Sequence, residues 1–124
     1  LRGYRYLALL PAILLAQPGI AASEPLKVEL VSAVAGFDQR TREPIVSFKM
    51  NAASARAFAE LTQRSVGKPM EFRVDGRVVM KPVIREPILG GGGQISGAFS
   101  VDEAKALAER LASGAAKLEL EVVE

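Results

Sequence analysis

From Ile45 to Met50 the apolar residues fall on alternate positions, with Val46, Phe48 and Met50 on one face and Ser47 and Lys49 on the other. This is the period-two mark of a half-buried strand. The same rhythm returns at Met70, Phe72 and Val74, set against Glu71, Arg73 and Asp75, and again at Leu118, Leu120 and Val122, set against Lys117, Glu119 and Glu121. Between these stretches the period lengthens to that of a helix. Ala55, Phe58, Ala59, Thr62 and Val66 follow an Asn51 N-cap and stop at Gly67, which supplies a left-handed cap. Val101, Ala104, Leu107, Ala108 and Leu111 follow the capping box Ser100-x-x-Glu103 and stop at Ser113-Gly114, with Phe99 placed as a hydrophobic staple. A further strand is predicted over residues 26–35, with Val28, Leu30 and Val34 on one side, closed by the polar run 38–43.

Asp75-Gly76 turns the third strand back into Val78, Met80 and Ile84, which predicts a hairpin. A two-residue loop sets Phe72 opposite Val79 and mixes the faces. A three-residue loop, Val74-Asp75-Gly76 with a bulge glycine, sets Phe72 opposite Val78 and Met70 opposite Met80, and the apolar rows favour it. Pro82 donates no hydrogen bond, so this strand belongs at an edge or frays there. The segment 85–93 is too rich in proline and glycine to be regular. Read from Ile45, the order is strand, helix, strand, strand, helix, strand. The expected fold is α+β, an antiparallel sheet with two helices in ferredoxin-like βαββαβ order plus an extra N-terminal strand.

Composition narrows the setting. Arg2 and Arg5 precede an apolar run from Tyr6 to Ala16, then Pro18-Gly19 and the small residues Ala21-Ala22-Ser23, which is the order of a secretory signal peptide. The expected division is therefore a signal at 1–22 and a single domain at 23–124, exported to the periplasm, with a retained membrane anchor as the alternative; the membrane is contacted only if the signal is retained. The formal charge of +2 rests on Arg2 and Arg5, so the domain after them is neutral and its charges alternate in sign. Nucleic acid, which selects clustered Lys and Arg, is not an expected partner. With no Cys and no His, the chain has no disulfide chemistry and lacks the commonest metal ligand and general base.

The candidate chemical motifs all have a simpler reading. Gly90 to Gly93 match neither dinucleotide nor phosphate-loop spacing, and no helix follows them; they read as a mobile or tightly packed loop that uses positive φ. Ser65-x-x-Lys68 matches a serine–lysine arrangement but sits where a helix stops. Asp102 and Glu103 lie in a first helical turn, where the dipole and the capping box account for them, and Asp75 belongs to its turn. No catalytic residue, metal ligand or cofactor site is assigned, and no small-molecule cofactor is expected.

Longer patterns point to a family. Val74-Asp75-Gly76-x-Val78, Pro82-x-Ile84, the glycines before Gln94-Ile95-Ser96-Gly97-x-Phe99-Ser100, and Glu103-Ala104-x-x-Leu107-Ala108-x-x-Leu111-x-Ser113-Gly114 resemble the head subdomain of the first periplasmic domain of SecD and SecDF. The likeness extends upstream through Phe37-Asp38, Pro44-x-Val46-x-Phe48, Phe58-x-x-Leu61-Thr62 and Val66-Gly67-Lys68. The resemblance implies an α+β head outside the membrane that is not an enzyme and contacts emerging polypeptide. The transmembrane helices and base subdomain of full-length members are absent from this chain. The expected partners are unfolded exported polypeptide or components of the Sec translocase. Lys81, Arg85, Ile88 and Leu89 are the expected contact residues, because two large apolar side chains in a proline- and glycine-rich loop need a reason. Either Ile88 and Leu89 tuck over the core beside Phe99, or they form an exposed apolar contact.

Overall fold

In the computed structural model, which describes residues 24–123, seven strands and two helices follow the order β1 (Leu26–Val28), β2 (Leu30–Phe37), β3 (Pro44–Met50), α1 (Ala52–Gln63), β4 (Met70–Val74), β5 (Arg77–Met80), β6 (Gly92–Ser96), α2 (Val101–Ser113) and β7 (Leu118–Val122). The signal expected at 1–22 lies outside the described residues. Every strand pairing is antiparallel. The α+β class and the two helices are as expected from the sequence, but a strand not expected there, β6, stands between β5 and α2, so the order from β3 is βαβββαβ rather than βαββαβ. The strands, however, are divided between two sheets, one ordered β1-β7-β4-β5 and the other β2-β3-β6.

The division starts at Glu29. The single strand expected over 26–35 is two strands, because the Glu29 backbone leaves the ladder to serve the start of α1. Its N–H donates to Ser54 Oγ (2.9 Å), and its carbonyl accepts from the Asn51 N–H (2.9 Å). β1 therefore joins β7 and β2 joins β3. An extra residue, Val31, then shifts the β2 register between Leu30 and Ser32. Val28 and Ala33 point inward as a result, whereas Val34, expected beside Val28, is 62% exposed.

The second sheet gains a strand from the glycines. Gly92 and Gly93 are not loop but pair with Lys49 and Phe48 in the β3–β6 ladder. A methyl group on Gly93 would lie 2.8 Å from Phe48 Cζ, so only a bare backbone lets this strand close over the ring. Phe48 in turn meets Phe72 of the facing sheet, ring centroids 6.5 Å apart, at the centre of the core.

The hairpin register also differs from expectation. Val74 pairs with Arg77, so the loop has two residues, and Asp75 (φ 50°) and Gly76 (φ 84°) take the left-handed conformations of a type I′ turn. Phe72 then faces Met80, because the extra residue is Val79 in β5 rather than a third residue in the loop. The bulge restores an apolar partner for Phe72 without altering the turn. β5 is an edge strand that ends before Lys81, consistent with Pro82.

Both helices bury narrower stripes than their patterns suggest. α1 buries Ser54, Phe58 and Thr62 and ends at Gln63, so its C-cap is Arg64 (φ −91°) rather than Gly67, and Val66 is exposed. α2 carries the full capping box at Ser100 and Glu103 and buries Ala104, Ala108 and Leu111. Leu107 is half-buried, and Val101, in the first turn, is 43% exposed. α2 lies mainly over β2, where alanines on both elements permit a close approach.

Candidate functional site

Residues 81–91 join β5 to β6 as a strap laid along α1. Buried Ile84 pins its first part: the Gly67 N–H donates to the Ile84 carbonyl (2.7 Å), and the Ile84 N–H donates to the Lys68 carbonyl (2.9 Å). Further along, the Ile88 N–H donates to Thr62 Oγ1 (2.9 Å), whose own hydroxyl lies 3.0 Å from the Phe58 carbonyl one helical turn earlier. At the far end, the Gly91 carbonyl accepts from the Met50 N–H (2.7 Å). Gly91 has φ 73°, and a methyl group there would lie 2.7 Å from Ala55 Cβ. Gly91 and Gly93 thus serve close approach, where a mobile or adjustable loop was one of the sequence readings.

This lacing sorts the four expected contact residues. Lys81 and Arg85 are exposed, and Leu89 is 66% exposed. Ile88 is half-buried and packs against the core cluster, as Phe99 does. Ile88 and Leu89 therefore divide between the two readings, Ile88 as an apolar anchor and Leu89 as surface.

Two further apolar residues on this side were not picked out from sequence. Hydrogen bonds and an isolated bridge between Pro69 and Val83 lay 67–69 beside 82–84, so Val66 (48% exposed) and Val83 (44% exposed) flank the pinned Ile84. The sequence pattern places Val66 in the helical stripe that stops at Gly67 and gives Val83 no role. The signal that could have found them is the pair of breakers next to each, Gly67 and Pro82, which end regular structure beside a large apolar side chain.

The carboxylates act as structural ties. Asp75 accepts from the Lys117 N–H (2.9 Å) and from the Arg110 guanidinium, and its own N–H donates to the Lys117 carbonyl (3.0 Å). The Lys117 N–H, and then Arg110, hold its carboxyl below the usual carboxylate range. Glu103 accepts from the Ser100 N–H (2.8 Å), completing the capping box. Arg73, between Glu71 and Glu121, ties neighbouring strands on the outer face of the four-stranded sheet, its Nη1 2.6 Å from Glu121 Oε1. Buried Ser65 lies in the turn after α1, where its carbonyl accepts from the Lys68 N–H (3.1 Å). Among the described residues, no helix is long and apolar enough to cross a membrane.

The family model described as "SecDF, P1 head subdomain" matches residues 25–118. The protein translocase subunit SecD of Acetobacter pasteurianus is 45% identical over 96 residues, 77% of this chain and 18% of the relative. SecD of Dictyoglomus turgidum is 42% identical over 95 residues, 77% of this chain and 24% of the relative. A solved structure described as a membrane component SecDF that enhances protein export superposes with a TM-score of 0.66 at 40% identity, covering 77% of this chain and 43% of that one. The chain thus spans roughly a fifth of the SecD sequences it matches.

Proposed function

This chain belongs to the SecDF P1 head subdomain family, and on that premise we propose that it is a non-enzymatic domain of protein export that holds unfolded polypeptide outside the membrane. The match over residues 25–118 carries the reading. Its setting is the periplasm, reached through the signal at 1–22 with cleavage close to Ala22; an intact N-terminus found by mass spectrometry in the membrane pellet means a retained anchor instead. The contact is the strap surface. Leu89, together with Val66 and Val83 beside Ile84, supplies exposed apolar area, Lys81 and Arg85 add positive charge in the same segment, and Ile88 anchors the strap. A rigid apolar surface with charges at its margin suits chains of varied sequence, because burial of apolar area has no directional requirement.

The test is capture of an unfolded exported protein by the chain carrying Leu89→Ser or Ile88→Ser. Leu89→Ser should weaken capture at an unchanged denaturation midpoint, and Ile88→Ser should lower the midpoint. Full capture by Leu89→Ser removes the strap from the contact. Docking on the translocase with no capture of unfolded protein favours an accessory role.

A further inference from the structure

The other end of the three-stranded sheet is built differently from the strap side. Among the described residues β2, its edge strand, is the longest strand, with eight, and is paired on one side only, with β3. Its sequence LVSAVAGF has no charge and no proline, and Val31, Val34 and Phe37 are 63%, 62% and 56% exposed. Soluble proteins normally blunt such an edge with short length, Lys or Pro, a bulge or a cover, and of these β2 has only the Val31 bulge near its start, which leaves residues 32–37 in regular register. The other edges follow that rule. β1 has three residues, carries Lys27 and follows Pro25, and β5 has four residues, starts at Arg77 and runs into Lys81-Pro82. β6 is short and turns toward β5, with a methyl on Gly97 falling 3.6 Å from the Val79 carbonyl oxygen.

A groove runs beside β2, between the strand and α2. Hollows of about 50 and 270 Å³ follow one another along it, sharing Ala35 and Lys105, and a larger one of about 570 Å³ continues past Ala112 to Leu30. The walls are small: Ala33 and Ala35 on the strand, Ala104, Ala108 and Ala112 on the helix. At the rim Lys105 stands with Glu109, one charge of each sign.

From this we infer that β2 and α2 form a second polypeptide site, which takes an extended segment as an added strand. Alternate residues of an edge strand turn their N–H and C=O groups away from their partner strand, and an incoming main chain satisfies them whatever its side chains are. Eight residues span about 26 Å at roughly 3.3 Å each, the length of a six- to eight-residue segment. Alanine walls leave shallow space for small and apolar side chains, and the balanced rim does not select by charge. A second copy of this chain fits less well, since antiparallel pairing of β2 with β2 brings both α2 helices to the same face, where each lies mainly over its own β2 and crowds the other. The inference rests on the reading that this domain binds polypeptide, and it adds a site and a mode of recognition to it.

The probe is a fluorescent ten-residue peptide of alternating Val and Ser, titrated into the chain, with two N-methylated versions whose methyl groups block one or the other main-chain edge. Blocking the edge that meets β2 should weaken binding at least about tenfold, the loss of several main-chain hydrogen bonds, while blocking the outer edge changes little. Val34→Lys, at an exposed position, should weaken the parent peptide with no change in the denaturation midpoint. Equal binding of all three peptides overturns the inference, as does binding that is lost in Leu89→Ser but unchanged in Val34→Lys; both leave the strap reading standing. Failure of the chain to bind this peptide and an unfolded exported protein overturns both readings.

Discussion

The two ends of the three-stranded sheet solve the problem of close packing with different residues. On the strap side the backbone itself is the packing surface: Gly91 sits against Ala55 and Gly93 against the Phe48 ring, with no room for a methyl at either place. On the β2 side the approach is made by alanines, Ala33 and Ala35 facing Ala104 and Ala108, and the strand edge is left with neither charge nor proline. The strap side is therefore fixed by geometry that tolerates no addition. The β2 side is held by modest apolar area with space beside it. A surface that must stay in register is made of glycine and hydrogen bonds, and one that can admit another chain is made of small side chains.

The largest expected effect tests the glycine side. Gly91→Ala combines a left-handed backbone with a 2.7 Å approach to Ala55 Cβ and should destabilise by about 2–4 kcal/mol in urea denaturation. Gly90→Ala, with nothing within 4 Å and no positive φ, should change stability by less than about 1 kcal/mol. Equal costs at the two positions would erase the distinction. On the alanine side, Ala104→Leu overfills a residue that is 1% exposed and should cost about 1–3 kcal/mol. A cost above that of Gly91→Ala would reverse the comparison. Ser100→Ala removes one half of the capping box of α2, the helix that walls the groove, and should cost about 1 kcal/mol. Its measured midpoint shift, set against peptide affinity at β2, shows whether the groove depends on that helix end.

The smallest effect concerns pH. The Lys117 N–H, and then Arg110, hold the Asp75 carboxyl below its ordinary value in the folded state, so this tie contributes fully above the unfolded carboxylate pKa and is lost as pH falls through the folded one. Asp75→Asn should flatten the acid side of the stability profile, followed by midpoints measured downward from neutral pH. An unchanged slope removes Asp75 from that tie.

Much of this was legible in the chain because alternation and caps are local signals. The strands at 44–50, 70–74 and 118–122 and the box at Ser100 and Glu103 appear where the residues placed them. What escaped depends on distant partners. Nothing near Glu29 announces that its backbone will bond Ser54 and Asn51 and split one strand into two. A run of glycines looks irregular until Phe48 is known to lie beneath it. The hairpin bulge was expected in the loop, since apolar pairing can be restored from either place, and the turn's own Asp75-Gly76 chemistry settles the matter in favour of β5. For the candidate surface, the sequence marked Leu89 and the two cations but could not separate Ile88, whose amide is tied to Thr62 and whose side chain packs on the core, from Leu89, which is exposed.

That threonine has a dynamic consequence. One hydroxyl, fully buried, is bonded both to the helix that carries it and to the amide of Ile88 in an otherwise irregular segment. Amide exchange in such a segment normally runs at nearly the free rate, because its opening needs no core to separate. Here the Ile88 amide is held by a buried hydroxyl, and it exchanges only when that bond to α1 opens. Its exchange should keep pace with the helix, and a domain whose surface looks like a loop should respond to a partner as a rigid body.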